Sequence, residues 1–112
     1  MNNKEYYVGY WDETIKKNIN KIIKKHKLER EFDIAVNNLK RNAMCGNKIS
    51  RDRWPKKYRK NQKINNLWRY ELSKRKPGWR LIYTILPKNN IKILSALLDV
   101  LNHHRYDRVF GY

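Results

Sequence analysis

Apolar residues recur at helical spacing in the first part of the chain, and this pattern predicts two amphipathic helices. The first apolar stripe consists of Ile15, Ile19, Ile22 and Ile23. Asp12 precedes this stripe and has a side chain that suits a helix N-cap. Lysines occupy the opposite face of the same helix, which is typical of a solvated surface.

The second predicted helix has an apolar stripe made of Phe32, Val36, Leu39 and Ala43. Gly46 suits the residue just past the end of this helix. A tight link near Lys27–Leu28 joins the two helices, so we expect an αα-hairpin. The aromatic-rich segment 4–10 precedes the hairpin and is typical of an opening strand.

Two later segments, 67–72 and 79–86, alternate between apolar and polar positions and predict a β-hairpin. One face of this hairpin would carry Trp68, Tyr70, Leu72, Trp79, Leu81, Tyr83 and Ile85. We expect that face to pack against the helices and to leave Arg69, Glu71 and Arg80 on the open face of the sheet. In purely structural terms, such residues would form a cross-strand ion pair that contributes little to stability.

The remaining segments complete the predicted order of elements. Residues 50–63 are polar and basic, which predicts an extended loop with one helical turn. Residues 91–101 are apolar nearly throughout, a pattern that fits a buried strand or a buried helix, and the preceding hairpin favours a strand. The order is then β-α-α-β-β-β with a short C-terminal tail or helical turn. It predicts a single α+β domain over 1–112, with helices on a mostly antiparallel sheet.

Charge is the strongest feature of the composition, because 27 Lys and Arg stand against 10 Asp and Glu and give a formal net charge of +17. An AT-rich coding sequence would also favour Lys, Asn and Ile, but it would not explain why the charge clusters. Between Ile34 and Tyr70 there are eleven basic residues and one acid, Asp52. A loop this basic beside a sheet predicts a rim that binds RNA phosphates. Its central members are Lys56, Lys57, Arg59, Lys60 and Lys63.

The C-terminal tail adds groups that can transfer protons or hold phosphates: His103, His104, Arg105, Tyr106, Arg108 and Tyr112. In an extended tail two adjacent histidines point in opposite directions, so at most one would face a site. Metal-free RNA cleavage needs a base for the 2′-OH, positive charge for the phosphorane and an acid for the 5′-oxygen. This inventory of Arg, His, Tyr and Glu can supply all three.

The residues that other chemistries need are absent from this sequence. No cluster of acids suits a two-metal nuclease, and no Gly-rich phosphate loop is present. The single cysteine, Cys45, cannot form an internal disulfide, and no Cys/His spacing suggests zinc, so we expect no cofactor. The chain shows neither a signal peptide nor a membrane span, which predicts a soluble cytoplasmic protein without a membrane partner.

Segments 66–72, 78–83 and 101–112 resemble the RelE/ParE toxin superfamily, specifically the RelE-like mRNA endonucleases of type II toxin–antitoxin pairs. The most specific part is the strand Gly-Trp-Arg-Leu-Ile-Tyr at 78–83. The resemblance implies two helices on a curved sheet whose concave basic face takes mRNA in the ribosomal decoding site. It also implies metal-free cleavage by 2′-OH attack, a cyclic phosphate product and an acidic antitoxin partner that wraps around the toxin as helices.

The resemblance also implies roles for single residues. Arg80 matches the family's phosphate-stabilising arginine, and Arg69 matches a position that is often basic. Glu71 stands where the best-known subgroup has a catalytic lysine, so that lysine is absent here. The predicted catalytic set is Arg69, Arg80, His103, His104 and Tyr106. The predicted RNA-binding set is Lys56, Lys57, Arg59, Lys60, Lys63, Glu71, Arg105, Arg108 and Tyr112.

Two alternatives share the same expected fold. One is a gyrase poison of the ParE branch, although the His-His-Arg-Tyr tail and the density of Lys and Arg argue against it. The other is a homologue that binds RNA without cutting it, which the missing lysine keeps open.

Overall fold

The computed structural model of the chain describes residues 3–111. Within these residues, four α-helices and five strands alternate with two short 3₁₀ turns, Ala43–Cys45 and Arg51–Arg53. In chain order the elements are β1 (Glu5–Tyr10), α1 (Glu13–Lys25), α2 (Glu29–Arg41), β2 (Asn47–Lys48), α3 (Lys56–Arg59), β3 (Trp68–Ser73), β4 (Trp79–Pro87), β5 (Lys92–Asn102) and α4 (His103–Val109). No helix within 3–111 is both long enough and apolar enough to cross a membrane.

The α+β class is confirmed, but the order of elements differs from the predicted one. Between the αα-hairpin and the β-hairpin the chain forms β2 and α3, so the basic segment holds more structure than one helical turn. The apolar segment that fits either a strand or a helix forms the strand β5 from Lys92 onward. The C-terminal residues that were expected to form a tail or a single turn form the seven-residue helix α4.

The five strands make one mixed sheet in the order β1-β5-β4-β3-β2. β1 runs parallel to β5, whereas the three other neighbouring pairs are antiparallel. Parallel neighbours need a long crossover connection, and the chain between β1 and β5 supplies it. As a result β5 lies between the first strand and the hairpin, and its C-terminal end leads directly into α4.

The two helices cover one face of the sheet, as the apolar stripes predict. Asp12 caps α1, because its Oδ1 accepts the Ile15 N–H at 2.8 Å. The link between α1 and α2 turns through Lys27, which has a positive φ of 55°. Their apolar faces meet the sheet in a helix-side core made of Ile19, Ile23, Leu28, Ala35, Leu39, Leu72, Trp79, Leu81, Tyr83, Leu97 and Val100. The predicted inward face of the β-hairpin is therefore correct.

The other face of the sheet is not open along most of its length, in contrast to the prediction. A loop-side core covers it, made of Ile49, Trp54, Tyr58, Ile64, Leu67, Ile82, Leu98, Leu101, Tyr106 and Phe110. The segment between β2 and β3 and the helix α4 supply most of these side chains. Ile82, which alternation places on the open face, is 0% exposed. Arg69, Glu71 and Arg80 consequently share this face with buried apolar side chains.

Gly46 has a different role from the predicted one. α2 ends at Arg41, and Asn42 is its C-cap, so Gly46 lies beyond an intervening 3₁₀ turn. A Cβ at Gly46 would lie 2.5 Å from the carbonyl oxygen of Arg69 and 2.6 Å from the Tyr83 hydroxyl. The glycine is therefore required by the close approach of the chain to β3 and β4, and it does not end the helix.

Candidate active site

The antiparallel pairing of β3 and β4 brings an acid and an arginine together. Glu71 and Arg80 are directly opposite each other in the register, and Arg69 is opposite Ile82. Because side chains alternate along a strand, Arg69 and Glu71 project from the same face as Arg80. Glu71 Oε2 accepts a charge-assisted hydrogen bond from Arg80 Nε at 3.1 Å. The predicted strand positions thus lie together at the margin of the loop-side core.

The helix α4 carries the tail residues to the same place. Asn102, the last residue of β5, caps this helix, because its Oδ1 accepts the Arg105 N–H at 2.8 Å. One helical turn separates His103 from Asp107, and His103 Nε2 lies 3.1 Å from Asp107 Oδ2. A carboxylate in this position orients the imidazole ring and leaves Nδ1 as the nitrogen that can exchange a proton with a substrate.

Tyr106 joins the strand arginines to α4. Its side chain is 0% exposed, and Arg69 Nη1 donates a hydrogen bond to its hydroxyl at 2.7 Å. The guanidinium carbon of Arg80 lies 4.4 Å from the centre of the same ring, a cation–π distance. Phe110 stacks on the same ring, with 4.7 Å between the two ring centroids. One buried aromatic ring therefore holds both guanidinium groups.

These contacts define the arginine–tyrosine cluster, which consists of Arg69, Glu71, Arg80, His103, Tyr106 and Asp107. Arg80 Nη1 also lies 3.9 Å from Asp107 Oδ1, so one arginine connects the two acids. The side chain of Arg80 is 18% exposed, while those of Glu71 and His103 are 39% and 48% exposed. The cluster thus has a sheltered positive centre with proton-transfer groups that reach solvent. Such a combination can bind a phosphate and move protons beside it.

Two of the predicted catalytic residues, Tyr106 and His104, differ in how exposed their side chains are. Tyr106 is fully buried, so its position suits holding the arginines better than contacting a substrate directly. His104 is exposed and meets His103 only edge-on, with 5.9 Å between ring centroids. Because α4 is helical, the two histidines point about 100° apart, and only His103 contacts Asp107.

The residues of the predicted basic rim line several different cavities. Lys56, Arg59 and Arg108 line a cavity of about 530 Å³ together with Arg53. Lys57 and Arg105 line a separate cavity of about 320 Å³ between α1, β5 and α4. Of the other residues predicted to bind RNA, Lys63 lines a third cavity and Lys60 is exposed. The last one, Tyr112, lies outside the described residues.

Sequence reasoning missed Asp107 and Asp99. Asp107 follows His103 by four residues, a spacing that places side chains on one helix face, so a helical prediction for the tail would have found the pair. Asp99 lies inside an apolar run, and nothing local distinguishes it from a surface acid. Within residues 3–111, no three His, Cys, Asp or Glu side chains are grouped closely enough to hold a metal ion.

No protein-family model, no curated protein and no solved structure matches this chain. Any assignment of function therefore depends on the residues of the arginine–tyrosine cluster and on the charge around it.

Proposed function

We propose that this protein is the toxin of a type II toxin–antitoxin pair, an endoribonuclease that cuts mRNA at the ribosome by 2′-OH attack. One observation carries the proposal: two arginines converge on the buried ring of Tyr106, beside Glu71 and the His103–Asp107 pair. The resemblance of the hairpin and tail to RelE-like nucleases, which involves the same residues, also supports it. The formal net charge of +17 supports a polyanionic substrate.

The cluster offers a group for each step of the reaction. The 2′-oxygen bonds to phosphorus while the bond from phosphorus to the 5′-oxygen breaks, which leaves a 2′,3′-cyclic phosphate and a 5′-hydroxyl. Glu71 accepts the proton of the 2′-OH. His103, which the Asp107 carboxylate orients, gives a proton to the leaving 5′-oxygen. No metal ion takes part in this sequence of steps.

The arginines stabilise the charge that develops on the phosphorane. Arg80 is the principal group, because its planar fork matches the geometry of phosphate oxygens. Arg69 and Tyr106 position it, since the Tyr106 ring contacts both guanidinium groups. Preorganised donors of this kind act without reorganisation during the reaction, which is the main source of their effect.

Replacement of Arg80 tests the proposal. We expect Arg80→Ala and Arg80→Lys each to reduce cleavage of ribosome-bound mRNA by about a hundredfold or more, since lysine keeps the charge but not the fork. New 5′ ends mapped by primer extension give the cleavage rate. Arg30→Ala, on the exposed part of α2, is the matched control and should cut like the wild type.

Thermal unfolding separates loss of chemistry from loss of fold, because Arg80→Lys keeps most of the contact with the Tyr106 ring. A folded Arg80→Lys variant that cuts at the wild-type rate would contradict the assignment. Wild-type protein that arrests growth without cutting mRNA would indicate a protein target such as gyrase. Wild-type protein with neither effect would indicate a homologue that binds RNA without cleaving it.

The expected regulatory partner is an acidic antitoxin. A chain with 27 basic and 10 acidic residues repels itself, and an acidic protein that covers the basic cavities would relieve this repulsion. The cavity beside α3 illustrates the charge complementarity, because Arg53, Lys56, Arg59 and Arg108 all line it. Helices are the simplest structure with which such a partner could follow these cavities.

A further inference from the structure

A cavity of about 320 Å³ lies where β5 extends past its parallel neighbour. β1 pairs with β5 as far as Leu97, and the Trp11 N–H donates to the Leu97 carbonyl at 2.9 Å. Asp99 is two residues further along β5, beyond the last β1 partner. Side chains from α1, α3 and α4 surround this stretch of β5 and form the cavity walls.

The cavity combines one acid with three cations and an apolar surface. Asp99 provides the carboxylate, and Lys21, Lys57 and Arg105 provide the positive charges. Ile22, Val100 and Leu101 form the apolar part of the lining. A ligand that fits this lining has anionic groups for the cations, hydrogen-bond donors for the carboxylate and a flat apolar body.

The Asp99 carboxylate retains capacity to accept hydrogen bonds. Its Oδ1 accepts the Val100 N–H at 2.8 Å, and none of the ion pairs within residues 3–111 includes Asp99. Burial raises the pKa of Asp99, although the nearby charges of Lys57 and Arg105 lower it in part. Keeping a partly buried acid without an ion-pair partner is costly, which favours a role in binding.

We propose that this cavity binds the base of a guanine nucleotide of the RNA, and that Asp99 recognises it. An ionised carboxylate only accepts hydrogen bonds. Guanine is the RNA base that presents two adjacent donors, N1–H and the N2 amino group, on one edge, so a carboxylate can pair with both. Lys21, Lys57 and Arg105 hold the adjoining phosphates, and the half-buried side chain of Ile22 contacts the face of the base.

The location of the cavity connects this recognition to the proposed cleavage. Leu101, which lines the cavity, pairs with Arg80 across the sheet. Under this inference, the base in the cavity belongs to a nucleotide near the phosphate that Arg80 holds. The inference deepens the proposed function and rests on RNA being the substrate.

Binding to short single-stranded RNA tests the inference without any cleavage. The RNA carries 2′-O-methyl groups, which remove the attacking hydroxyl, and a single guanosine, inosine or adenosine in an otherwise identical uridine sequence. Fluorescence anisotropy then gives the dissociation constants. We expect the wild type to bind the guanosine RNA about tenfold more tightly than the adenosine RNA, with the inosine RNA between them.

Asp99→Asn is the diagnostic variant, because asparagine keeps the shape and the oxygen that accepts the Val100 N–H. It should lose the preference for guanosine while it binds the adenosine RNA as the wild type does. Lys21→Ala is the matched comparison and should weaken binding of all three RNAs by the same factor. A wild type without a guanosine preference, or an Asp99→Asn variant that keeps the full preference, would overturn the inference.

Failure of this inference can be distinguished from failure of the proposed function. If the wild type cuts ribosome-bound mRNA but binds guanosine and adenosine RNAs equally, the nuclease assignment stands and the base-recognition site fails. If guanosine binding depends on Asp99 but no mRNA is cut, the site stands and the nuclease assignment fails. Failure to bind any of the RNAs would overturn the base-recognition site, and the cleavage of ribosome-bound mRNA would still decide the nuclease assignment.

Discussion

At the scale of single residues, Tyr83 shows how a polar group is accommodated within the helix-side core. Its ring is 0% exposed, and its hydroxyl donates to the Ala43 carbonyl at 2.7 Å and accepts the Gly46 N–H at 3.2 Å. Burial, the largest cause, raises the pKa of this hydroxyl above its ordinary value, so the group remains a donor. One phenol thereby ties the turn after α2 to the middle of β4.

Removal of that hydroxyl should destabilise the protein. We expect Tyr83→Phe to lower the free energy of unfolding by about 1–3 kcal/mol, because a buried carbonyl and a backbone N–H both lose their partner. Urea unfolding followed by far-UV circular dichroism measures the change. Tyr7→Phe removes an exposed hydroxyl and serves as the control, with an expected change within about 0.5 kcal/mol. Equal stability of Tyr83→Phe and wild type would contradict the stabilising role of this hydroxyl.

Gly46 illustrates a residue whose role the sequence could not reveal. Its position after an apolar helical stripe fits a helix C-cap, and local patterns contain no information about the strands that approach it. The contact that excludes a side chain comes from the backbone of Arg69, 23 positions later in the chain. Steric requirements between distant segments are properties of the fold, so they appear only once the fold is known.

At the scale of elements, alternation and helical spacing predicted the surfaces that face the helices. Trp79, Leu81 and Tyr83 pack where their spacing places them, because a strand with one face in a core keeps that face throughout. The loop-side core was not predictable in the same way. Trp54, Tyr58 and Ile64 lie in a strongly basic segment with no sustained helical or strand period, and the fold brings them together.

The candidate site was predictable for its strand residues and less so for its tail. Arg69, Glu71 and Arg80 follow from strand alternation, and the structure places them together. The His103–Asp107 contact depends on α4 being a helix, which a short polar segment at the end of a chain signals only weakly. Asn102 as an N-cap was the local signal that would have indicated it.

The cap of α4 is therefore a way to test the element that carries His103. Asn102→Ala removes the acceptor for the Arg105 N–H, and we expect a loss of about 1 kcal/mol in the free energy of unfolding. Fraying of the first turn separates His103 from Asp107, so the cleavage rate should fall more than the stability change alone explains. Asn102→Asp restores a capping oxygen and should behave like the wild type in both measurements.

Two results would contradict this view of α4. If Asn102→Ala keeps the full cleavage rate of the wild type, the orientation of His103 by Asp107 is not important for the reaction. If Asn102→Asp is as impaired as Asn102→Ala, the asparagine acts through something other than its capping oxygen.

At the scale of the whole molecule, the net charge controls both stability and binding. Added salt screens the repulsion among basic side chains, so the thermal midpoint of the free protein should rise with ionic strength. The same salt should weaken RNA binding, because each neutralised phosphate contributes about −0.7 to the slope of log K against log salt for a single strand. These opposite trends are expected of a strongly basic protein that binds a polyanion.

Two double variants that each remove two positive charges can show which residues contact RNA phosphates. We expect the double variant Lys56→Ala and Arg59→Ala to flatten the salt slope of RNA binding by about 1.4, which corresponds to two lost phosphate contacts. Lys17→Ala with Lys24→Ala removes the same charge from the exposed face of α1 and should leave the slope unchanged. Equal effects of the two double variants would mean that RNA responds only to the total charge.

Successive side chains of β4 lie on opposite faces of the sheet. This alternation affects which mutations the strand can accept. Its odd-numbered side chains, Trp79, Leu81 and Tyr83, belong to the helix-side core, while Arg80 and Ile82 face the other way. A substitution can alter one face and leave the other intact. Insertion or deletion of a single codon within the strand would exchange the faces, sending Arg80 into the helix-side core and an aromatic ring to its place. Point changes can thus tune the candidate site of this protein gradually, whereas a one-codon length change in β4 would alter the core face and the site face at once.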